Sequence, residues 1–418
     1  MTRLGRELDT FLDTMVEGMG RPERRAAMRS YMTGLLLDGE RKSIEPLAAR
    51  LVDDAKETDA MRQRLQQCVS ASGWSDDELR RRLALKVDRE LRGVEALVID
   101  DTGFPKKGEH SVGVARQYSG TLGRTDNCQV ATSLHLASEQ GSACIALTLY
   151  LPETWASDRK RRRQTGVPTE IEFKKKWEIA LDQVDAARRW GVSDRVLLAD
   201  AGYGDATEFR EGLIDRRMQY VVGVQGNHHV WPPGTNLREP APTGKQGRPR
   251  TRWLVGDGER HVSIADLAGA LKYRAISWRD GSRGRQTSRF AAVRLRTAER
   301  HTKQRPPSEI QWLFCEWPSD EKAPTKFWLS NLPADVTTRE LVRLAKLRWR
   351  VERDYQELKQ EIGLDHFEGR SWRGFHHHAT LCSVAHAFLV LRRALFPPEA
   401  KALDPAHGPA RTAAGATA

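Results

Sequence analysis

The chain lacks the features that would place it in a membrane, outside the cell or among disordered proteins. No segment approaches the roughly 18 consecutive apolar residues that a spanning helix needs. The N-terminal segment carries charge from Arg3 to Arg29 and no apolar core of a signal peptide. Cysteine is scarce: the five residues, at 68, 128, 144, 315 and 382, form no C-x-x-C pair. An odd, scattered set argues against a disulfide framework and for a reducing cytoplasm. Charged residues at 30% and apolar residues at 39% are too mixed for wholesale disorder and too polar for a membrane protein. What the chain has in excess is positive charge, a formal +12 over 418 residues, enough length for two or three domains. Such a surplus favours a polyanionic partner, against the plainer reading of a solvated basic surface.

The surplus is local. From Thr235 to Arg305 there are 17 Lys and Arg against 6 Asp and Glu, so this stretch holds a net +11 of the total. It alternates turn-rich pieces, such as 240–250 and 279–285, with short runs that read as strands, Arg252 to Val255 and Phe290 to Arg296. Cations on one face of a small β unit would form a track for a phosphate backbone, with Arg283, Arg285 and Arg289 its candidates. Gly247-Arg-Pro-Arg250 has the look of a minor-groove hook, though the match is short.

Residues 1–93 read as a helical domain. Leu4, Leu8, Phe11, Leu12 and Met15 recur at helical spacing, and Ser75-Asp-Asp-Glu78 is a capping-box pattern. Such a block serves either DNA-end recognition or packing alone. From Glu95 the pattern changes to strands: Ala96 to Ile99, Val114 to Tyr118, Gln129 to Leu136 and Ala143 to Leu151. A helix over 172–190, a strand over 195–199, a helix over 207–217 and a strand over 219–224 follow. Strands first and then alternation predict an α/β sheet with an antiparallel edge. After the basic stretch come a strand at Lys326 to Ser330, a long helix over 338–362, a loop and a last helix over 376–395. The divisions expected are 1–93, 94–230, 231–325 and 326–396, with a disordered tail at 397–418.

Asp101 (or Asp100) and Asp200 follow short apolar strands, where open α/β sheets bind ligands. Asp at a strand end is often a turn former, but two of them point to a shared divalent-cation site completed by a third carboxylate. Glu352 is the candidate, with Arg348 and Lys359 at offsets of −4 and +7 on one helical stripe; taken alone, that stripe reads as a solvated salt-bridge face. His378, Cys382 and His386 share another helical face, but they lack a fourth ligand for structural zinc, and packing is the better reading. Arg370 and Arg373 sit in the basic, aromatic segment 368–378, which suits phosphate contacts or forms a surface loop.

Together, Ile99-Asp-Asp-Thr-Gly-Phe-Pro-Lys-Lys-Gly108, Leu197-Leu-Ala-Asp-Ala-Gly-Tyr203 and Leu347-Arg-Trp-Arg-Val-Glu352 with Lys359 resemble bacterial insertion-sequence transposases of the DDE superfamily. The resemblance spans about residues 95–386. It implies a ribonuclease-H-like mixed sheet flanked by helices, a β-rich insertion within 231–325 and a helical N-terminal domain. It also implies a triad of Asp101, Asp200 and Glu352, with Asp101 preferred over Asp100, and two Mg²⁺ ions, Mn²⁺ being able to substitute. Arg348 and Lys359 match the third motif's DNA-contacting positions, and Lys106 and Lys107 join the DNA-binding set. The motif's Tyr falls on Ala345, a departure that puts one phosphate contact in doubt. Trp328 lies near the place of an aromatic that holds a flipped base in relatives, although a core role is the simpler reading. The activity implied is metal-dependent cleavage at the element's ends and strand transfer into target DNA, carried out by a cytoplasmic, nucleoid-associated homodimer on terminal inverted repeats and target DNA. Two alternatives stay open: a catalytically silent or domesticated DNA-binding relative, and a nuclease that only cuts.

Overall fold

The computed structural model describes residues 2–120, 123–239, 254–256, 260–281, 284–298, 307 and 309–396. The Gly247-Arg-Pro-Arg250 hook, Arg283 and the tail at 397–418 lie outside the described residues.

Five helices come first: α1 (Arg3–Val16), α2 (Pro22–Leu36), α3 (Ile44–Arg50), α4 (Thr58–Ser70) and α5 (Asp76–Glu90). The expected capping pattern opens α5, where the Ser75 hydroxyl accepts from the Glu78 amide. Next come β1 (Ala96–Pro105), β2 (Ala115–Ser119), β3 (Arg124–Ala137) and β4 (Ser142–Leu149), then α6 (Glu153–Ala156), α7 (Arg159–Thr165) and α8 (Lys176–Trp190). The helix expected from 172 starts four residues later because Glu178 accepts from the Lys175 amide at 2.7 Å and fixes the first turn there. A βα alternation follows: β5 (Val196–Ala199), α9 (Ala201–Gly204), α10 (Thr207–Asp215) and β6 (Tyr220–Val224).

After β7 (His229–Trp231), the basic stretch contributes β8 (Leu237–Arg238), β9 (Leu254–Val255), β10 (Val262–Ser263), α11 (Ile264–Gly269), β11 (Arg274–Gly281) and β12 (Gly284–Thr297). β13 (Gln311–Trp317) and β14 (Lys326–Ser330) lead back to α12 (Thr338–Leu347), α13 (Trp349–Gln356) and α14 (Trp372–Leu395). The single helix expected over 338–362 is interrupted at Arg348 and widens into a π-helical turn over Glu357–Glu361. α14 begins four residues before the expected start, since the Ser371 hydroxyl caps Gly374.

Twelve strands form one mixed sheet, ordered β10-β7-β12-β13-β14-β6-β5-β1-β3-β2, with β11 beside β12 and β4 beside β3. β1, β5 and β6 run parallel at its centre, and antiparallel strands extend it on both sides. The basic hairpin β11–β12 therefore belongs to the same sheet as the central strands. Alternation along β1 and β5 sorts the two faces. Ala96, Val98 and Leu198 pack against Leu341, Leu344, Leu347 and Val351 of α12 and α13. Leu97, Ile99, Leu197 and Ala199 lie in the opposite core with Ala180 and Val184 of α8. α14 is buried at every position from Gly374 to Phe388, between the N-terminal helices and β4. This is the expected α/β architecture, a ribonuclease-H-like mixed sheet flanked by helices. All five cysteines are free and buried, and no helix among the described residues is long and apolar enough to cross a membrane.

The turn after β5 depends on glycine. A Cβ at Gly204 would lie 2.0 Å from the Gly223 carbonyl oxygen, and one at Gly223 would lie 2.9 Å from the Ala201 amide. The Asp200 turn rests directly on β6. Gly204→Ala is therefore expected to lower stability by about 1–3 kcal/mol in urea unfolding, whereas Gly73→Ala, with open space around it, should unfold like the parent.

Candidate active site

The parallel register of β1 and β5 pairs Val98 with Leu198. Two residues further along, Asp100 and Asp200 come side by side on the face that α12 and α13 cover. Asp100 stands opposite Ser133 on β3, whose hydroxyl meets Tyr355 of α13, so this face is fixed independently by the antiparallel neighbour. Asp101 stands opposite Thr132, which binds Tyr203 and Gln183 on the other face. Its carboxylate pairs there with Lys176, the first residue of α8. By alternation Asp100 falls on the face of Ala96 and Val98, where Arg348 joins it to Glu352, while Asp101 turns toward Thr132 and Lys176 and still acts on Asp200.

Arg348 joins the acids. Its guanidinium donates to Asp100 Oδ2 at 2.7 Å and to Glu352 Oε1 at 3.3 Å. Asp100 Oδ1 accepts from the Asp101 amide at 2.8 Å. Burial pushes Asp100 up to about 6; Arg348 opposes the shift, and Asp200 and Asp101 add to it. Burial also raises Asp200, with Arg348 pulling it down and Asp101 pushing it up. Its Oδ1 is buried and has no hydrogen-bond partner. Burial works against the Arg348 cation, but Asp100, Asp200 and Glu352 together hold it above its usual range. Asp200, Arg348 and Glu352 open into a cleft of about 530 Å³ whose walls include Lys346, Trp328 and Ala345. Trp328 stacks on Phe314 at 5.1 Å and is half-buried, so it is at once a core residue and a cleft wall.

Carboxylate oxygens, one of them buried and unpartnered, are the donors a hard divalent cation takes. No three Asp, Glu, His or Cys side chains among the described residues are gathered closely enough to hold one. Arg348 spans Asp100 and Glu352 and supplies the compensating charge. The set fits a cation by donor chemistry, and closure around one requires this guanidinium to yield.

The expected DNA contacts divide by location. Lys359 donates to the Gly103 carbonyl at 2.8 Å and Lys106 to the Phe367 carbonyl at 2.9 Å, and burial lowers the pKa of both. These two cations face inward and tie β1 to the segments beside it. Lys107, Arg285, Arg289, Arg370 and Arg373 are exposed. Arg289 also donates to the carbonyls of Trp317 and Pro318, and Arg373 to that of Ala71.

His378, Cys382 and His386 do not gather around a common point. His378 bonds Tyr31 at 2.9 Å and the Gly363 carbonyl at 3.1 Å, and Cys382 lies against its ring. His386 meets Glu357 at 3.2 Å. The packing reading holds, with polar partners that sequence spacing does not reveal.

Behind Glu352 lies a buried network. His135 contacts Asp354 at 2.7 Å and Ser133 at 2.9 Å, and Ser142 donates to the other Asp354 oxygen at 2.7 Å. Ser133, His135 and Asp354 have the bonding order of a hydrolytic triad, but all three are buried, so no substrate reaches the hydroxyl. The network instead fastens α13 to β3 and β4. Burial disfavours the His135 cation, yet Cys144 and Asp354 outweigh it and raise the pKa to about 10. The value lies above the unfolded imidazole's, so the stabilisation is complete below about pH 6.5 and is lost as pH rises toward 10. Urea unfolding across that interval should show a falling midpoint. His135→Gln should remove this component and cost about 3 kcal/mol at pH 6.

A family model described as DDE superfamily endonuclease matches residues 14–285, a span that includes Asp100 and Asp200 and ends before Glu352. The chain is also 28% identical over 206 residues to a probable transposase for insertion sequence element IS701 from Microchaete diplosiphon, covering 49% of this chain. It spans about half the length of that curated relative, 50%. With the matched span covering most of the sequence, the chain belongs to the DDE superfamily of endonucleases.

Proposed function

We propose that the chain is an insertion-sequence transposase that cuts DNA at the ends of its element and transfers the freed 3′ ends to target DNA. The observation that carries this reading is the nearness of Asp100 on β1 to Asp200, just past β5, whose charge acts on it, with Glu352 joined to Asp100 through Arg348. Asp100 takes the first-acid role in place of Asp101. Binding DNA alone gives no reason to set three carboxylates where phosphates must approach, which argues against a silent DNA-binding relative.

Asp100, Asp200 and Glu352 would hold two Mg²⁺ ions, with Mn²⁺ able to replace them; bound there, such ions lower the pKa of an attacking water or 3′-hydroxyl and stabilise the leaving oxygen. The protein's own residues do the rest. Arg348, released from its bridge, faces the cleft as a guanidinium fork suited to a phosphate. Trp328 and Phe314 form a rigid apolar wall that limits how the strand lies. The Asp200 turn, locked against β6 by Gly204 and Gly223, keeps one acid fixed while the strand is exchanged. The partners are terminal inverted repeats and target DNA, and a homodimer brings two ends together.

The test is Mg²⁺-dependent cleavage and joining with a duplex that carries the element's end. Asp100→Asn, Asp200→Asn and Glu352→Gln should each reduce cleavage on the order of 10³-fold or more, while Asp101→Asn keeps most of it. Full activity in Asp100→Asn with loss in Asp101→Asn would overturn the assignment. Cut ends without joined products would reduce the activity to that of a nuclease. Neutralising Arg283, Arg285 and Arg289 together should weaken DNA binding and flatten its salt dependence while leaving the fold intact, with about one unit of slope lost per phosphate contact removed.

A further inference from the structure

A second cleft, of about 370 Å³, lies between the β11–β12 hairpin and the α12–α13 segment. Its helical wall is a stripe at offsets of 4, 7 and 11 from Arg339, namely Arg343, Lys346 and Arg350. The hairpin adds Arg279, whose guanidinium lies 4.2 Å from the centre of the Trp349 indole. Arg350 lies 4.9 Å from the same ring, so two like charges share one aromatic platform. Arg350 Nε is buried without a hydrogen-bond partner. Arg343 and Lys346 are answered by carboxylates, Arg343 by Glu95 at 2.5 Å and Lys346 by Glu316 at 2.6 Å. Glu139 also lines the cleft and, with Asp354, acts on Arg350 from a distance, but the ion pair of Glu139 is with Arg343 at 3.5 Å. Among the described residues no carboxylate lies within ion-pair distance of Arg279 or Arg350. Two guanidiniums held together in this way create a local demand for an anion.

The position of the cleft identifies the anion's class. Lys346 and Trp349 line both this cleft and the one that holds Asp200, Arg348 and Glu352. A strand with its scissile phosphate at the carboxylates would pass over Trp349 into the second cleft. We propose that Arg279 and Arg350, set on the Trp349 ring, form a backbone subsite for a phosphodiester flanking the scissile one on the same DNA strand. The proposal rests on the reading of the chain as a DNA-cutting enzyme. It adds a subsite built jointly by the basic hairpin and the helix of the third acid.

The subsite is tested with duplexes carrying the element's end, in which single phosphates around the cut position are replaced in turn by uncharged methylphosphonates. Fluorescence anisotropy gives the affinity of each duplex for the intact protein, for Arg279→Gln and for Arg350→Gln. The expected result is a flanking position, within about three nucleotides of the cut, where neutralisation weakens binding to the intact protein about tenfold. Both variants should bind the unmodified duplex correspondingly more weakly and lose sensitivity at that position alone. Arg279→Lys, which keeps the charge, should retain part of it. The absence of any sensitive flanking phosphate in the intact protein would overturn the subsite, even if a variant failed to fold. Undiminished sensitivity in both variants would overturn it as well. An intact protein that bound no duplex would instead remove the reading of the function on which the proposal rests.

Discussion

Carboxylates that are brought out of water and close together repel one another, and this constraint organises the centre of the molecule. The compensating charge here is a single guanidinium. Arg348 binds Asp100 and Glu352, and its field also reaches Asp200. Arg348 sits at the junction of α12 and α13 with its backbone still helical, and from there its fork reaches Asp100 within β1 and Glu352 one turn on. Burial outweighs Arg348 and keeps the Asp100 carboxyl above its usual range, with Asp200 and Asp101 adding to the shift. A divalent cation among these acids would favour their charged forms.

An exposed Glu352 on a short helix would be poorly placed without anchors, and α13 has two. Asp354 is locked to His135 and Ser142 on the sheet side. Glu357 is buried against His386, Arg353 and Arg393, and although burial opposes it, these partners hold its carboxyl far below the usual range. The two anchors lie three residues apart and pull toward different elements, β3–β4 and α14. The π-helical turn begins at Glu357, the second of these anchors. Buried ion pairs contribute little net stability compared with apolar packing, but they fix rotation and register, and a catalytic carboxylate needs that fixity.

The sequence was a good guide wherever a feature repeats with a short period. The strands of the central sheet, the cap of α5 and Asp200 at the end of β5 are local patterns, and each appears where the residues indicate; β1 instead runs on to Pro105, so Asp100 and Asp101 lie within the strand and not at its end. The choice between Asp100 and Asp101 is not local. It depends on the pairing of Val98 with Leu198 and of Asp100 with Ser133, and a shift of one residue exchanges the faces. Lys106 and Lys359 carry the charge expected of DNA contacts, yet their ammonium groups are engaged by the carbonyls of Phe367 and Gly103, partners 261 and 256 residues away. His135 and Lys176 gave no signal at all, because each matters only through a residue far away in sequence. The zinc-like spacing on α14 puts His378 and His386 on one helix face, yet their partners, Tyr31 and the Gly363 carbonyl for the first and Glu357 for the second, lie on other segments that the spacing does not indicate.

Charge counting needed the same tertiary correction. The net +11 between Thr235 and Arg305 locates basic residues along the chain and says nothing of what they face. In the fold, Arg279 from that stretch meets Arg343 and Lys346 of α12 and Arg350 of α13, helices that begin more than 30 residues beyond its end, so this basic cleft belongs to neither segment alone. A continuous sheet explains the meeting. β11 and β12 extend the central strands through β13, β14 and β6, and this places the hairpin over α12 at a fixed height. The sheet that aligns Asp100 with Asp200 thus also sets the distance from those acids to the basic cleft. Cutting chemistry and backbone grip share one rigid frame, and they meet at Lys346 and Trp349, the residues common to both clefts.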